Sequence, residues 1–302
     1  ATWPARVVSP TEERNPHTTT IDEVPTAEVL RMISSEDLLV APAVAAVLPD
    51  LAAAVDCAVT ALESGRRVHY FGAGSSGRTA VLDAAELGPT YALEPGRVVA
   101  HMAGGLGAVE SAVEDVEDDP AAGQADAAGV VAGDVVVGLT ASGRTPYVAG
   151  ALQAARAAGA YTVLISANPD APLAELADLH IGVSTGPEVI AGSTRMKAGT
   201  AQKLVINAFS TAVMVRLGRT YSNLMFQVVA SNGKLRGRLA GMLEQATGLP
   251  QSVCSEALAA ADGDAKVALV SLLAPASADE ARKALAAADG VVRTALRLAH
   301  ER

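Results

Sequence analysis

Three stretches of this chain carry hydroxyls and a guanidinium at a point where an apolar run gives way to a helical pattern. The first, Gly74-Ser75-Ser76-Gly77-Arg78-Thr79, follows the run 68–71; the second, Ser142-Gly143-Arg144-Thr145, follows 135–139. The third, Gly192-Ser193-Thr194-Arg195-Met196-Lys197, opens a long helical stretch. Glycine lets a backbone approach an anion closely, and the first N–H groups of a helix have no internal partner, so such turns attract phosphate. Serine and threonine hydroxyls add donors that need no counter-charge. One such turn reads equally well as a helix N-cap. Three in one sheet favour a phosphate ester as ligand.

Three carboxylates lie beside these turns in the sequence. Glu86 sits in "DAAELGPT", Glu117 in "VEDVEDDP" and Glu188 in "STGPEVIAGSTRMKAG". Gly88-Pro89 is expected to stop the first helix and turn Glu86 inward among apolar neighbours. In isolation the acidic cluster around Glu117 is a solvated helix end. A carboxylate beside a phosphate loop is a poor phosphate ligand and a better acid, base or partner for sugar hydroxyls. On a sugar phosphate without a cofactor, that means proton transfer next to a carbonyl. The open-chain aldehyde at C1 acidifies the C2 proton, a base removes it, and an acid protonates the leaving group. Burial would raise one carboxyl while its partner stays ionised.

Other chemistries fit poorly. Gly72-Ala73-Gly74-Ser75-Ser76-Gly77 matches G-x-G-x-x-G literally, but no acid closes the second strand to hold a ribose, since Glu94 precedes it. No Gly-Lys-Ser/Thr completes a P-loop. The histidines, 17, 69, 101, 180 and 300, are scattered, and His69 and His101 read as packed strand residues. Cys57 and Cys254 read as buried thiols in apolar helices. No metal site is expected. A net charge of −10 and 3% aromatic residues argue against nucleic acid. No apolar run reaches the length of a membrane span, and the polar, Pro-rich first residues do not resemble a signal peptide. A reduced, cytoplasmic protein is expected.

The elements that would hold these residues follow from the hydrophobic rhythm. Residues 1–25 read as an extended arm and 25–64 as helical. Short apolar runs at 68–71, 98–102, 135–139, 162–166 and 179–183 then alternate with helical stretches. That pattern predicts an α/β fold, a doubly wound parallel sheet whose ligand crevice lies beyond the carboxyl ends of its strands. Long helices are expected over 196–217 and 222–246. The Ala-rich remainder reads as short helices, so the expected division is 1–245 and 246–302.

"GAGSSGR", "ASGRTPY" and "EVIAGSTRMKAGTAQKLVINAFST" resemble the sugar isomerase (SIS) domain, a flavodoxin-like fold with about five parallel strands that binds phosphosugars. With "TEERNPHTTTIDEVPT", "AVEDVEDD", "STRMKAGTAQK" and "ASNGKLRGR", the chain looks like the N-acetylmuramic acid 6-phosphate etherase family from about residue 8 onward. The resemblance implies cofactor-free cleavage of the D-lactyl ether at C3, by elimination across C2–C3 and addition of water. It implies that Glu86 protonates the departing lactate and that Glu117 is the second catalytic residue, the C2 base. Ser75, Ser76, Gly77 and Arg78, with Ser142, Gly143, Arg144 and Thr145, match its phosphate and sugar loops by general placement. Glu188, Ser193 and Thr194 do the same. A homodimer with the site near the subunit interface and a small UBA-like helical end are also implied. Ser75 and Leu87 stand where related chains often have Thr and Cys. Two alternatives stay open: a sugar-phosphate-binding regulator, and an aldose–ketose isomerase using Glu188 as base.

Overall fold

The structure, a computed structural model, describes residues 9–111, 113–226, 233–274 and 276–300. Three helices follow the arm: α1 (Thr26–Asp37), α2 (Val40–Ala45) and α3 (Leu48–Glu63). Strands and helices then alternate through β1 (Val68–Gly72), α4 (Gly74–Tyr91), β2 (Val98–Met102), α5 (Gly107–Glu110) and α6 (Pro120–Asp126). The series continues with β3 (Val135–Thr140), α7 (Pro146–Ala157), β4 (Tyr161–Ser166), β5 (Leu179–Gly182) and α8 (Lys197–Arg216). Five further helices close the chain: α9 (Gly233–Thr247), α10 (Gln251–Ala260), α11 (Ala265–Leu273), α12 (Ala278–Ala287) and α13 (Val292–His300).

The five strands form one parallel sheet in the order β2-β1-β3-β4-β5, as the alternation of the sequence predicts. β1 and β3 are buried along their whole length, which is why they read as unbroken apolar runs. The chain leaves β1 toward β2 on one side and returns to β3 on the other, so the switch of direction falls between β1 and β3. Gly72 aligns with both Met102 and Leu139, so β1 and β2 end level there and β3 one residue further on. The loops after β1 and β3 part at this point and leave a crevice, the usual ligand position in such sheets.

The described residues divide into two compact units: the chain up to Ala84 with Gly96–Ser210, and Ala85–Pro95 with the chain from Thr211. In the first, Phe71, Val136, Leu164, Tyr147 and Leu152 pack α7 against the sheet. In the second, Leu239, Leu243, Cys254, Leu258 and Leu269 form a helical core. The division differs from the one expected at 245/246, because α9 places Leu239, Met242 and Leu243 in the core of the C-terminal helices. Asp264 caps α11 by accepting the N–H groups of Lys266 and Val267, and Ser277 with Glu280 forms a capping box on α12.

Three local expectations are corrected. The helix expected from residue 222 does not include residues 222–226: Tyr221 and Leu224 exchange backbone hydrogen bonds around a tight turn with Ser222 at φ 52°, and the described helix spans Gly233–Thr247. Residues 230–232 of "ASNGKLRGR" and the first eight residues of the arm lie outside the described residues. The helix expected to stop at Gly88-Pro89 runs on to Tyr91. A proline in a last turn forfeits one hydrogen bond, and the Ala92 N–H still closes on Gly88 O at 2.9 Å. Cys254 is buried as expected, whereas Cys57 is half-buried.

Candidate active site

Above the β1/β3 switch lies a cavity of about 460 Å³. Gly74, Ser75 and Ser76 reach it from the start of α4, and Ser142, Arg144 and Thr145 from the loop before α7. Thr194 reaches it from the loop before α8, Glu117 and Asp118 from a single 3-10 turn, and Glu12 from the arm. A neighbouring cavity of about 400 Å³ shares Gly74, Glu117 and Asp118 and is floored by Met102 and Ala103. The first two hydroxyl turns of the sequence therefore face one space, and Glu117 stands at its boundary. A larger cavity of about 900 Å³ lies within the second unit between Tyr91, Thr211 and Met242, and holds none of these loops.

Each expected residue has a definite place. Ser75 and Ser76 sit in the first turn of α4, where backbone N–H groups lack intrahelical acceptors. The Ser76 hydroxyl donates to Gln202 Oε1 at 2.8 Å. Thr145 Oγ1 pairs with Thr140 Oγ1 at 2.8 Å, and Thr140 Oγ1 also accepts the Gly143 N–H, so the second loop is ordered by its own hydroxyls. Ser142 Oγ accepts the Arg144 N–H, and its carbonyl accepts Asn168 Nδ2.

The two glycines build the turns and line neither cavity. A Cβ on Gly77 would stand 2.7 Å from Gly72 O, and one on Gly143 would stand 2.3 Å from the Ala171 Cβ. Gly143 is also at φ 73°. Arg78 lines the second cavity, with Nε and Nη2 donating to the carbonyls of Val109 and Ala108 at 2.9 and 2.8 Å. It braces the 105–111 segment beside the second cavity.

The third turn behaves differently from the other two. Glu188 is fully buried, and its carboxylate accepts the N–H groups of Lys197 and Ala198 at 2.8 and 3.0 Å. The N-terminus of α8 is thus closed by a side chain, leaving Thr194 in the cavity and Ser193 outside its lining. Burial pushes the Glu188 carboxyl above its ordinary range, opposed by those two backbone donors. Lys197 is itself buried, and Nζ pairs with Glu36 at 2.6 Å. Burial opposes ionisation of Glu36, but the hydrogen bonds from Lys197, His17 and Asn15 prevail and hold its carboxyl low.

Neither proposed catalytic glutamate is buried. Glu117 is exposed on its turn, which the chain enters through Asp115 at φ 63°. Glu86 is exposed on α4 and lines neither cavity, because the helix continues past Gly88 in place of ending there. Glu86 is thus not turned inward among apolar neighbours as expected.

Beside Asp118, the neighbour of Glu117 in both linings, two residues from distant segments escaped the reading of the sequence. Glu12 belongs to "TEERNP", and the arm carries it in by docking on the 187–192 loop: Gly192 N–H donates to Thr11 O at 2.9 Å and Thr18 Oγ1 to Val189 O at 2.8 Å. Gln202 belongs to "GTAQK" and faces Ser76 from α8. Both lie in quoted motifs, but nothing in their residue type announced a ligand. The cavity lining carries Glu12, Glu117 and Asp118 against Arg144, so a phosphate here depends on hydroxyls and helix N–H groups.

Comparison with known proteins identifies the family. Residues 50–156 match the glucokinase regulatory protein N-terminal SIS domain family and residues 106–212 the SIS domain family. The chain is 62% identical over 273 residues to an N-acetylmuramic acid 6-phosphate etherase of Thermobifida fusca (strain YX), covering 90% of each chain. The chain belongs to the N-acetylmuramic acid 6-phosphate etherase family. Members from Mycolicibacterium smegmatis and Pectobacterium atrosepticum are 51% and 48% identical, with 95% and 94% of this chain and 97% and 95% of theirs covered. Membership of the etherase family thus spans both compact units, whereas each SIS match lies mainly in the first.

Proposed function

We propose that this chain cleaves the D-lactyl ether of N-acetylmuramic acid 6-phosphate without a cofactor, giving N-acetylglucosamine 6-phosphate and D-lactate. The observation that carries the proposal is the single cavity in which Glu117 meets the hydroxyl turns of Ser75-Ser76 and Ser142–Thr145. Hydroxyls and the N–H groups of α4 hold the phosphate. Ring opening exposes the C1 aldehyde and makes the C2 proton acidic. A carboxylate removes that proton, the C3–O bond breaks, and a carboxyl delivers its proton to the lactate oxygen. Water then adds to C3 of the unsaturated aldehyde, and C2 regains a proton. The breaking and remaking of the C3–O bond is assisted throughout by proton transfers, which carboxylates perform unaided.

In this reading Glu117 is the base at C2 and Glu86 the acid on lactate. Glu86 is exposed one helical turn from Leu82, an apolar side chain 54% open on the same α4 face. Such a face suits burial against a second copy, so the working unit is a homodimer in which the partner supplies Glu86. The reaction belongs in the cytoplasm, since a sugar phosphate is too charged to cross a bilayer unaided. Among the described residues no single helix is long and apolar enough to span one.

Incubation with N-acetylmuramic acid 6-phosphate and an assay for D-lactate tests the activity. Lactate release supports it; tight hexose-phosphate binding without lactate would favour a regulator. The isomerase alternative is weaker, because the carboxylate of Glu188 is spent on capping α8.

A further inference from the structure

We propose that Gln202 is a positioning residue which turns the Ser76 hydroxyl into a donor for the phosphate of the substrate. The inference rests on the reading of the Ser75-Ser76 cavity as a phosphomonoester site.

Gln202 lies near the start of α8 and is 2% exposed. Its Oε1 accepts the Ser76 hydroxyl, while its Nε2 is buried with no hydrogen-bond partner among the described residues. A buried amide N–H without an acceptor is costly, and the residue most often found in its place in a core would be apolar. An amide buried against Ser76 therefore points to a use for both of its ends. A half-turn of the terminal torsion exchanges oxygen and nitrogen within the same volume. Nε2 then donates to Ser76 Oγ, and the Ser76 proton is released toward the cavity, which Ser76 already lines.

The ligand chemistry explains why the two orientations differ in value. A phosphate dianion has only acceptors, so a serine already donating to Gln202 offers it nothing. With the amide reversed, the donors run in series from Gln202 Nε2 to Ser76 Oγ and from Ser76 Oγ to a phosphate oxygen. Each bond in such a chain strengthens the next. Ser76 is 7% exposed and sits in the first turn of α4, so its hydroxyl has little freedom to find another arrangement.

Gln202→Glu keeps the shape and removes the donor, so Ser76 stays committed to the carboxylate. The dissociation constants for inorganic phosphate and N-acetylglucosamine 6-phosphate are expected to rise about tenfold or more, measured at temperatures where the variant is folded, since a buried carboxylate lowers thermal stability. Gln202→Met, which keeps the volume but can neither donate nor accept, should weaken binding less. The decisive measurement is a double-mutant cycle with Ser76→Ala, since Gln202→Met should then have no further effect on phosphate binding. Additive losses, or wild-type affinity in Gln202→Glu, would overturn the role. A wild-type protein that binds neither phosphate probe would instead remove the phosphate site itself, and this inference with it.

Discussion

Glu188 Oε2 accepts the backbone N–H of Lys197 at 2.8 Å, so the residue that sequence placed among the ligand contacts is the cap of α8. Its other oxygen takes the Ala198 N–H, and the whole carboxylate is shielded from solvent. Glu188→Ala would leave two buried donors unpaired and is expected to cost about 2–4 kcal/mol, read as a lower urea midpoint. Glu188→Gln retains one acceptor and should cost about half as much. At temperatures where the variants stay folded, kcat should remain within about twofold of wild type, since in this reading the capping carboxylate does not exchange protons with the substrate. A large fall in kcat with unchanged stability would return Glu188 to the chemistry.

The glycines of the two turns should separate from the hydroxyls beside them. Gly143→Ala combines a positive φ with a Cβ driven onto Ala171 and is expected to cost about 2–4 kcal/mol. Gly77→Ala presses on Gly72 O and the Met102 side chain and should be similarly destabilising. Ser142→Ala removes no packing and should raise KM about three- to thirtyfold with little change in Tm. Urea denaturation set beside steady-state kinetics distinguishes the two classes.

That contrast marks what the sequence could and could not tell. The strands were legible because β1, β3 and β4 are buried on both faces and read as continuous apolar runs. The first two hydroxyl turns were legible because each follows such a run directly. The role of Glu188 at the third was hidden, since a helix start that binds an anion and one already closed by a carboxylate share the same small residues. Glu86 misled because Gly88-Pro89 is a strong local stop, which α4 overrides for one further turn. Glu12 and Gln202 were invisible for another reason: their importance comes from contacts spanning many residues of chain, which no local spacing encodes.

His101 makes the fold sensitive to acid. Its ring stacks on Phe71 with centroids 4.3 Å apart, and its Nε2 meets His69 Nδ1 at 3.1 Å. Burial pushes its pKa down to about 4, with the neighbouring His69 adding to the effect and Asp126 opposing it. The unfolded chain takes up a proton near the ordinary histidine value of 6.5, while the folded chain does so only near 4. Stability is therefore fully present above about pH 6.5 and declines on acidification toward pH 4, by on the order of 2 kcal/mol. His69 is also lowered by burial, against Asp134, and steepens the decline. Urea unfolding at pH 7.5 and pH 5 should show the loss in wild type and a flatter profile in His101→Gln. Equal slopes would mean that His101 protonates normally in the folded protein.

The placement of Glu86 and Glu117 leads to a test by complementation. Glu117 borders the hydroxyl turns, whereas Glu86 is exposed on α4 and lines neither cavity of its own chain. Glu86→Ala and Glu117→Ala should each lower lactate release on the order of 10²–10⁴-fold, as loss of a proton-transfer group does. If the partner supplies Glu86, a mixed dimer of the two variants contains one site lacking both groups and one site with both intact. Unfolding and refolding an equal mixture would then restore about a quarter of wild-type activity, because half the dimers are mixed and each has one working site. Glu86→Gln should still exchange solvent deuterium at C2 of N-acetylglucosamine 6-phosphate, since Glu117 remains to remove that proton. No recovery in the mixture, from variants that refold and dimerise, would place both glutamates in the same subunit. Loss of exchange in Glu86→Gln with lactate release retained would reverse their roles.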